Sequence, residues 1–89
     1  MRFTWDPRKA ASNVRKHSVS FEEAKTVFDD ERALVQPDLV HEDRLLILGT
    51  SARARILFVV YAEREPEDTI RLISARKANA HERKAYESE

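Results

Sequence analysis

Cysteine is absent from this 89-residue chain, glycine occurs once and the formal net charge is zero. Each absence excludes a class of chemistry. Without cysteine there is no disulfide framework, no thiolate metal site and no thiol nucleophile. A reducing compartment suits such a chain without being demanded by it. With Gly49 as the sole glycine there is no Gly-rich phosphate loop. No serine sits in a G-x-S-x-G setting, so acyl transfer has no support. The whole-chain field, 16 cations against 16 anions, gives nucleic acid no reason to approach, so any such role must rest on local patches. The longest apolar run, Ile56 to Ala62, is far short of the roughly 20 residues that span a bilayer. The opening MRFTWDPRK holds no apolar run of signal-peptide type. The expectation is a cytoplasmic protein with no membrane partner.

What is present is ordered structure. The length fits one domain over residues 1–89, small enough to bury only about 60–65% of its unfolded surface. Arg2 to Trp5 predicts a strand. Asp6 stands at an N-cap with Pro7 at the first helical position, so a helix is predicted over Pro7 to Lys16, with Ala10, Ala11 and Val14 as its apolar stripe. Ser20 and Glu23 form an S-x-x-E capping box, and Phe21, Ala24, Val27 and Phe28 mark the buried face of a second helix that stops at the acids of 29–31. Strands are predicted over Ala33–Gln36, Arg44–Thr50, Arg55–Glu63 and Thr69–Arg76, joined by short polar loops that favour antiparallel hairpins. A last helix runs from Asn79 to Glu87. The order β-α-α-β-β-β-β-α is α+β: a mostly antiparallel sheet of four to five strands with two N-terminal helices and one C-terminal helix. The central strands are apolar on both faces, so the sheet is covered on both sides or one face is sealed by a partner.

Two segments concentrate cations. Between Asp6 and Glu22 the charges are Arg8, Lys9, Arg15 and Lys16, with His17 next. Arg71 to Lys84 holds Arg71, Arg76, Lys77, Arg83 and Lys84 against the single acid Glu82, with His81 inside and Tyr86 beside it. Arg71 and Arg76 differ in parity, so on a regular strand they face opposite ways and share a site only if the strand ends or bulges between them. Ser74 shares the face of Arg76. Guanidinium forks match phosphodiester oxygens. Metal-free RNA cleavage needs a base for the 2′-OH, charge to stabilise the phosphorane and an acid for the leaving oxygen, roles that Arg, Lys, His, Glu and Tyr can divide. The plain alternatives are a capping or surface role for His17, helix-dipole roles for Arg15 and Lys16, surface pairs for Arg64 and Arg71, and packing for Tyr86. His17, His41 and His81 are isolated, so neither a metal nor a cofactor is expected.

The pattern Phe3-x-Trp5-Asp6-x-x-Lys9-x-x-x-Asn13-x-x-Lys16-His17-x-Val19-x-Phe21-x-x-Ala24, then Val27-Phe28-Asp29, resembles the BrnT family of toxins. Glu42-Asp43-Arg44, Val59-Val60-Tyr61, Arg64, and Ile70 to Ala78 followed by Glu82 and Tyr86 agree with it, so the likeness covers nearly the whole chain. One departure is Ser18, where the family usually has glycine. The resemblance implies a RelE-like fold and a type II toxin–antitoxin system. The toxin would be a metal-independent endoribonuclease that arrests growth by cutting RNA. A BrnA-like ribbon-helix-helix antitoxin would neutralise it, and operator DNA would be met only through that antitoxin. Candidate catalytic residues are Arg64 and Arg76 as phosphate clamps, His17 for proton exchange, and Glu82 or Tyr86 for proton transfer. Candidate RNA-binding residues are Lys9, Lys16, Arg44, Arg71 and Lys77. The alternatives are a non-catalytic module that holds an antitoxin, and an RNA- or ribosome-binding protein that does not cut.

Overall fold

The computed structural model describes residues 1–66 and 68–88. In chain order these form β1 (Arg2–Thr4), α1 (Pro7–His17), α2 (Phe21–Ala24), a 3₁₀ helix (Lys25–Asp29), β2 (Leu34–Pro37), β3 (Leu45–Thr50), β4 (Ile56–Arg64), β5 (Thr69–Lys77) and α3 (Ala80–Glu87). The sheet order is β1-β5-β4-β3-β2, antiparallel except where β1 lies parallel to β5. The α+β class is the expected one.

Local chemistry accounts for most boundaries. The Asp6 carboxylate accepts from the Arg8 N–H at 2.8 Å, and Ser18 ends α1 in the left-handed region at φ 58°, its N–H donating to Val14 O. Asn79 and Glu82 cap α3 reciprocally. Three expectations need correction. The second helix keeps α geometry for only four residues before tightening to 3₁₀. There the Thr26 hydroxyl donates to Glu23 O at 2.6 Å, a local bond that competes with the regular helical ladder. The capping box at Ser20 is also half-formed: Ser20 accepts from the Glu23 N–H, but the Glu23 carboxylate turns to Ser51 and Arg55. In α1 the buried residue is Asn13, whereas Ala11 is exposed and Val14 is 46% exposed.

The core lies on one face of the sheet. Val19, Phe21, Ala24 and Val27 pack against Ile47, Leu57, Val59, Tyr61, Ile70, Leu72 and Ala75. Edge-to-face contacts Phe3–Phe28, Phe28–Tyr61 and Trp5–Phe21 seal the margin, with ring centroids 5.2, 4.9 and 5.9 Å apart. Among the described residues the second face is crossed only by α3, which has no buried residue. Leu46, Phe58 and Val60 therefore stay half-buried.

The pairing of β4 with β5 is interrupted. Val60 sits opposite Ser74 and Tyr61 opposite Leu72, so Ile73 is an extra residue on β5. Such a bulge reverses the parity of every side chain beyond it. Ile70 and Leu72 before it, and Ala75 after it, consequently point into the same core.

Candidate functional site

The bulge decides which cations meet. Arg71 pairs with Ala62, Ser74 with Val60 and Arg76 with Phe58. These β4 partners alternate regularly, so Arg71, Ser74 and Arg76 share the second face. The condition set by their parity is met. Lys77 pairs with Leu57, a core residue, and takes the opposite side. Continuing the β3–β4 register by one step sets Arg44 opposite Ala62 as well, so Arg44 and Arg71 flank Ala62, which is fully buried. The Nε of Arg44 is buried without a hydrogen-bond partner among the described residues.

Arg64 also lies on this face, but six residues along β4 from Phe58, or about 20 Å away by strand geometry. Arg64 and Arg76 therefore cannot grip a single phosphate. Arg64 Nη2 lies 3.8 Å from Asp43 Oδ2, an exposed pair of little energetic weight.

Arg76 is the most organised of these cations. Its Nη1 and Nη2 donate to Glu82 Oε1 and Oε2 at 2.8 and 2.9 Å, and Nη1 also reaches Lys77 O at 3.2 Å. Its guanidinium carbon stands 4.2 Å from the centroid of the Phe58 ring. The bond from Arg76 holds the Glu82 carboxyl below its ordinary pKa, and Glu82 in turn raises that of Arg76. Glu82 is thus an ionised support for Arg76. Among the described residues the Nε–H and the second Nη2–H of Arg76 have no partner, leaving one edge of the fork open.

Beside Ser74 runs a cationic groove. Lys9, Ser12, Asn13, Lys16 and His17 of α1 and Ile73 and Ser74 of β5 line a depression of about 180 Å³. Asn13 explains the closeness of α1 to β5. β1 pairs with β5 only as far as Arg71, and beyond it Asn13 bonds the backbone of Ala75 in place of a strand. Lys16 and His17 are held from the other side by the turn that follows. Arg55 Nη2 donates to Ser18 O at 3.0 Å, and Arg55 is fixed by the buried Glu23, which also accepts from Ser51 Oγ at 2.7 Å. Serine keeps the left-handed turn that glycine would adopt more cheaply. Asn13, Glu23 and Arg55 escape sequence reasoning because their partners lie far along the chain. The only local signal, Glu23 three residues after the cap Ser20 in a capping box, points to a different bond.

Tyr86 is anchored elsewhere on α3. The Thr50 hydroxyl donates to Tyr86 OH at 3.0 Å, Tyr86 OH donates to Asp30 Oδ2, and the same Asp30 oxygen accepts the Thr50 N–H at 2.8 Å. The bond to Asp30 pushes the phenol pKa up. That makes Tyr86 a poorer proton donor and a firmer tie between α3 and the body. Among the described residues there is no cluster of His, Asp or Glu able to hold a metal ion, and no helix is long and apolar enough to cross a membrane.

Comparisons with known proteins agree with this fold. No curated protein matches. Among solved structures the chain is similar to the Brucella abortus ribonuclease toxin BrnT, with a TM-score of 0.73 and 27% identity over 89% of this chain and 97% of that one. The model of the family described as the ribonuclease toxin BrnT of type II toxin–antitoxin systems matches residues 5–82. Such a system pairs its toxin with an antitoxin. The chain belongs to the BrnT family of ribonuclease toxins.

Proposed function

We propose that this chain is an endoribonuclease that needs no metal and cuts RNA by attack of a 2′-OH on the adjacent phosphate. The observation that carries the reading is the bulge at Ile73, which turns Arg71, Ser74 and Arg76 to one face beside the groove of Lys9, Lys16 and His17. Arg76 takes the scissile phosphate on its open edge while Glu82 holds the other edge, so the guanidinium is pre-oriented for charge that grows on the phosphorane. His17 takes the proton of the 2′-OH as that oxygen bonds to phosphorus; the P–O5′ bond breaks and the leaving oxygen takes a proton from solvent, giving a 2′,3′-cyclic phosphate and a 5′-OH end. Lys9, Lys16, Arg71, Arg44 and Arg64 track the flanking backbone, and Lys77 contributes only at the sheet's other side. The antitoxin is of ribbon-helix-helix, BrnA-like type and reaches operator DNA on behalf of the complex. The exposed apolar side chains of Leu39 and Val40 suit a protein partner better than RNA.

The test is purified protein with RNA in EDTA. RNA ends should appear, and Arg76→Ala should lower the rate by about 10²–10³-fold, the usual loss on removing one preorganised charge donor. Intact RNA with retained binding would make the chain a binding module. Undiminished cutting by Arg76→Ala would remove that residue from the site.

A further inference from the structure

Arg76 has a depression on each side. The cationic groove lies toward α1. On the other flank, between β2, β3, β4 and α3, is a cleft of about 370 Å³ lined by Leu34, Val35, Gln36, Leu46, Leu48, Phe58, His81, Glu82 and Ala85. Its character is different. The floor is Leu46, Leu48 and Phe58, which alternate onto the second face in register with Leu34 and Gln36 of β2. Its polar groups are few and sit at the rim: the Gln36 amide, the exposed His81 ring and the Glu82 carboxylate. Apolar walls with a small number of placed polar groups are the make-up of a site for a flat organic ligand, not of a phosphate track.

Arg76 ties the two depressions together. It stacks on Phe58, a floor residue of the cleft, while its near neighbour Ser74 lines the groove. A phosphate on the open edge of Arg76 would carry its nucleotide's base over the Phe58 side and its neighbouring phosphates toward Lys16 and His17. Unpaired bases are held in this way by protein surfaces, stacked on aromatic or guanidinium planes with hydrogen bonds along one edge. Glu82 Oε2 accepts only from Arg76 among the described residues, whereas Oε1 also takes the Asn79 N–H, so Oε2 retains capacity for a base N–H.

We infer that the cleft between β2 and α3 is a nucleobase pocket that seats the unpaired base next to the phosphate held by Arg76. This rests on the ribonuclease reading for the identity of the polymer, but its readout is base recognition and does not require cleavage.

The experiment is titration of the wild-type protein, methyl-labelled at leucine, with 5′-AMP, 5′-GMP, 5′-CMP and 5′-UMP, and with ribose 5-phosphate as the base-free probe. At least one nucleotide should bind about tenfold or more tighter than the sugar phosphate and shift the Leu34, Leu46 and Leu48 methyl signals. Ala85→Trp, which fills the cleft from its exposed α3 side, should abolish that preference while ribose 5-phosphate binding is kept. His81→Ala should weaken the preference without touching the core. Equal binding of nucleotides and ribose 5-phosphate, or silent cleft methyls, would overturn the inference. So would methyl shifts on adding the antitoxin but not nucleotides. RNA cutting with a silent cleft would sink the pocket and leave the ribonuclease reading standing. Base-dependent binding by a protein that cuts nothing would do the reverse.

Discussion

Asn13 stands in for a strand beside Ala75. Its Oδ1 accepts the Ala75 N–H at 3.1 Å and its Nδ2 donates to Ala75 O at 2.7 Å, closing the edge of β5 where β1 has stopped. The same Nδ2 donates to Val19 O at 2.9 Å and so ties down the turn after His17. One buried amide thereby sets the distance between the helix that carries Lys16 and His17 and the strand that carries Ser74 and Arg76.

Asn13→Leu is expected to destabilise the fold by about 3 kcal/mol, because it removes three buried hydrogen bonds and leaves backbone groups unpaired. Urea unfolding monitored by Trp5 fluorescence measures it. A loss under about 0.5 kcal/mol would show that water satisfies these groups and that Asn13 does not hold the edge.

Such contacts mark where sequence reasoning ends. The caps at Asp6 and Asn79 were legible because donor and acceptor lie two or three residues apart. The strands were legible because apolar residues and turn signals are local. Neither the bulge at Ile73 nor the burial of Asn13 has a local signature. The bulge exists only in the pairing of β5 with β4, so parity alone left Arg71 and Arg76 on opposite faces. The Arg76–Glu82 bond spans a strand end and a helix start. Each residue could be singled out from its charge, but not the fact that each is the other's partner.

Glu23 gives a pH prediction. The bond from Arg55 is the main reason its carboxyl is held below the ordinary value of 4.5, with burial opposing. A carboxylate whose pKa is depressed on folding contributes stability above its unfolded pKa and loses it as pH falls through the folded one. Wild-type stability should therefore decline from about pH 4.5 downward. Glu23→Gln should be less stable at pH 7 and show a flatter decline, read from urea midpoints between pH 7 and 3. Parallel curves for the two proteins would remove Glu23 from the acid response.

Ser18→Gly should stabilise the protein by up to about 1 kcal/mol, because Ser18 holds φ 58° and ψ 33°, a left-handed conformation that costs glycine nothing sterically. The Ser18 contacts to Val14 and Arg55 are made by its backbone and survive the change. A lower melting temperature in Ser18→Gly would show that the serine side chain contributes something the geometry does not reveal.

Gly49→Ala should destabilise by about 1–3 kcal/mol through overpacking. A Cβ there would lie 2.9 Å from Val27 Cγ1, 3.1 Å from Ala33 Cβ and 3.1 Å from Asp30 Oδ2. Moving Asp30 also disturbs its bonds to Thr50 and Tyr86, so α3 should loosen first. Hydrogen exchange at α3 amides, compared with β4, detects this; uniform acceleration across both elements would mean that the damage is global.

The two faces of β5 can be told apart by salt. Arg71 faces the same side as Ser74 and Arg76, whereas Lys77, with the same charge and on the same strand, faces the other way opposite Leu57. If RNA lies along the second face, Arg71→Ala should reduce the slope of log affinity against log salt by about 1, as expected when one phosphate contact is lost. Lys77→Ala should leave the slope within error, although it removes an equal charge from the whole-chain field. Filter binding of a short RNA with 2′-deoxy linkages, which cannot be cut, gives both slopes at several salt concentrations. Equal reductions would mean that RNA responds to net charge alone. A reduction confined to Lys77→Ala would place RNA on the helix-covered side and separate the binding surface from Arg76.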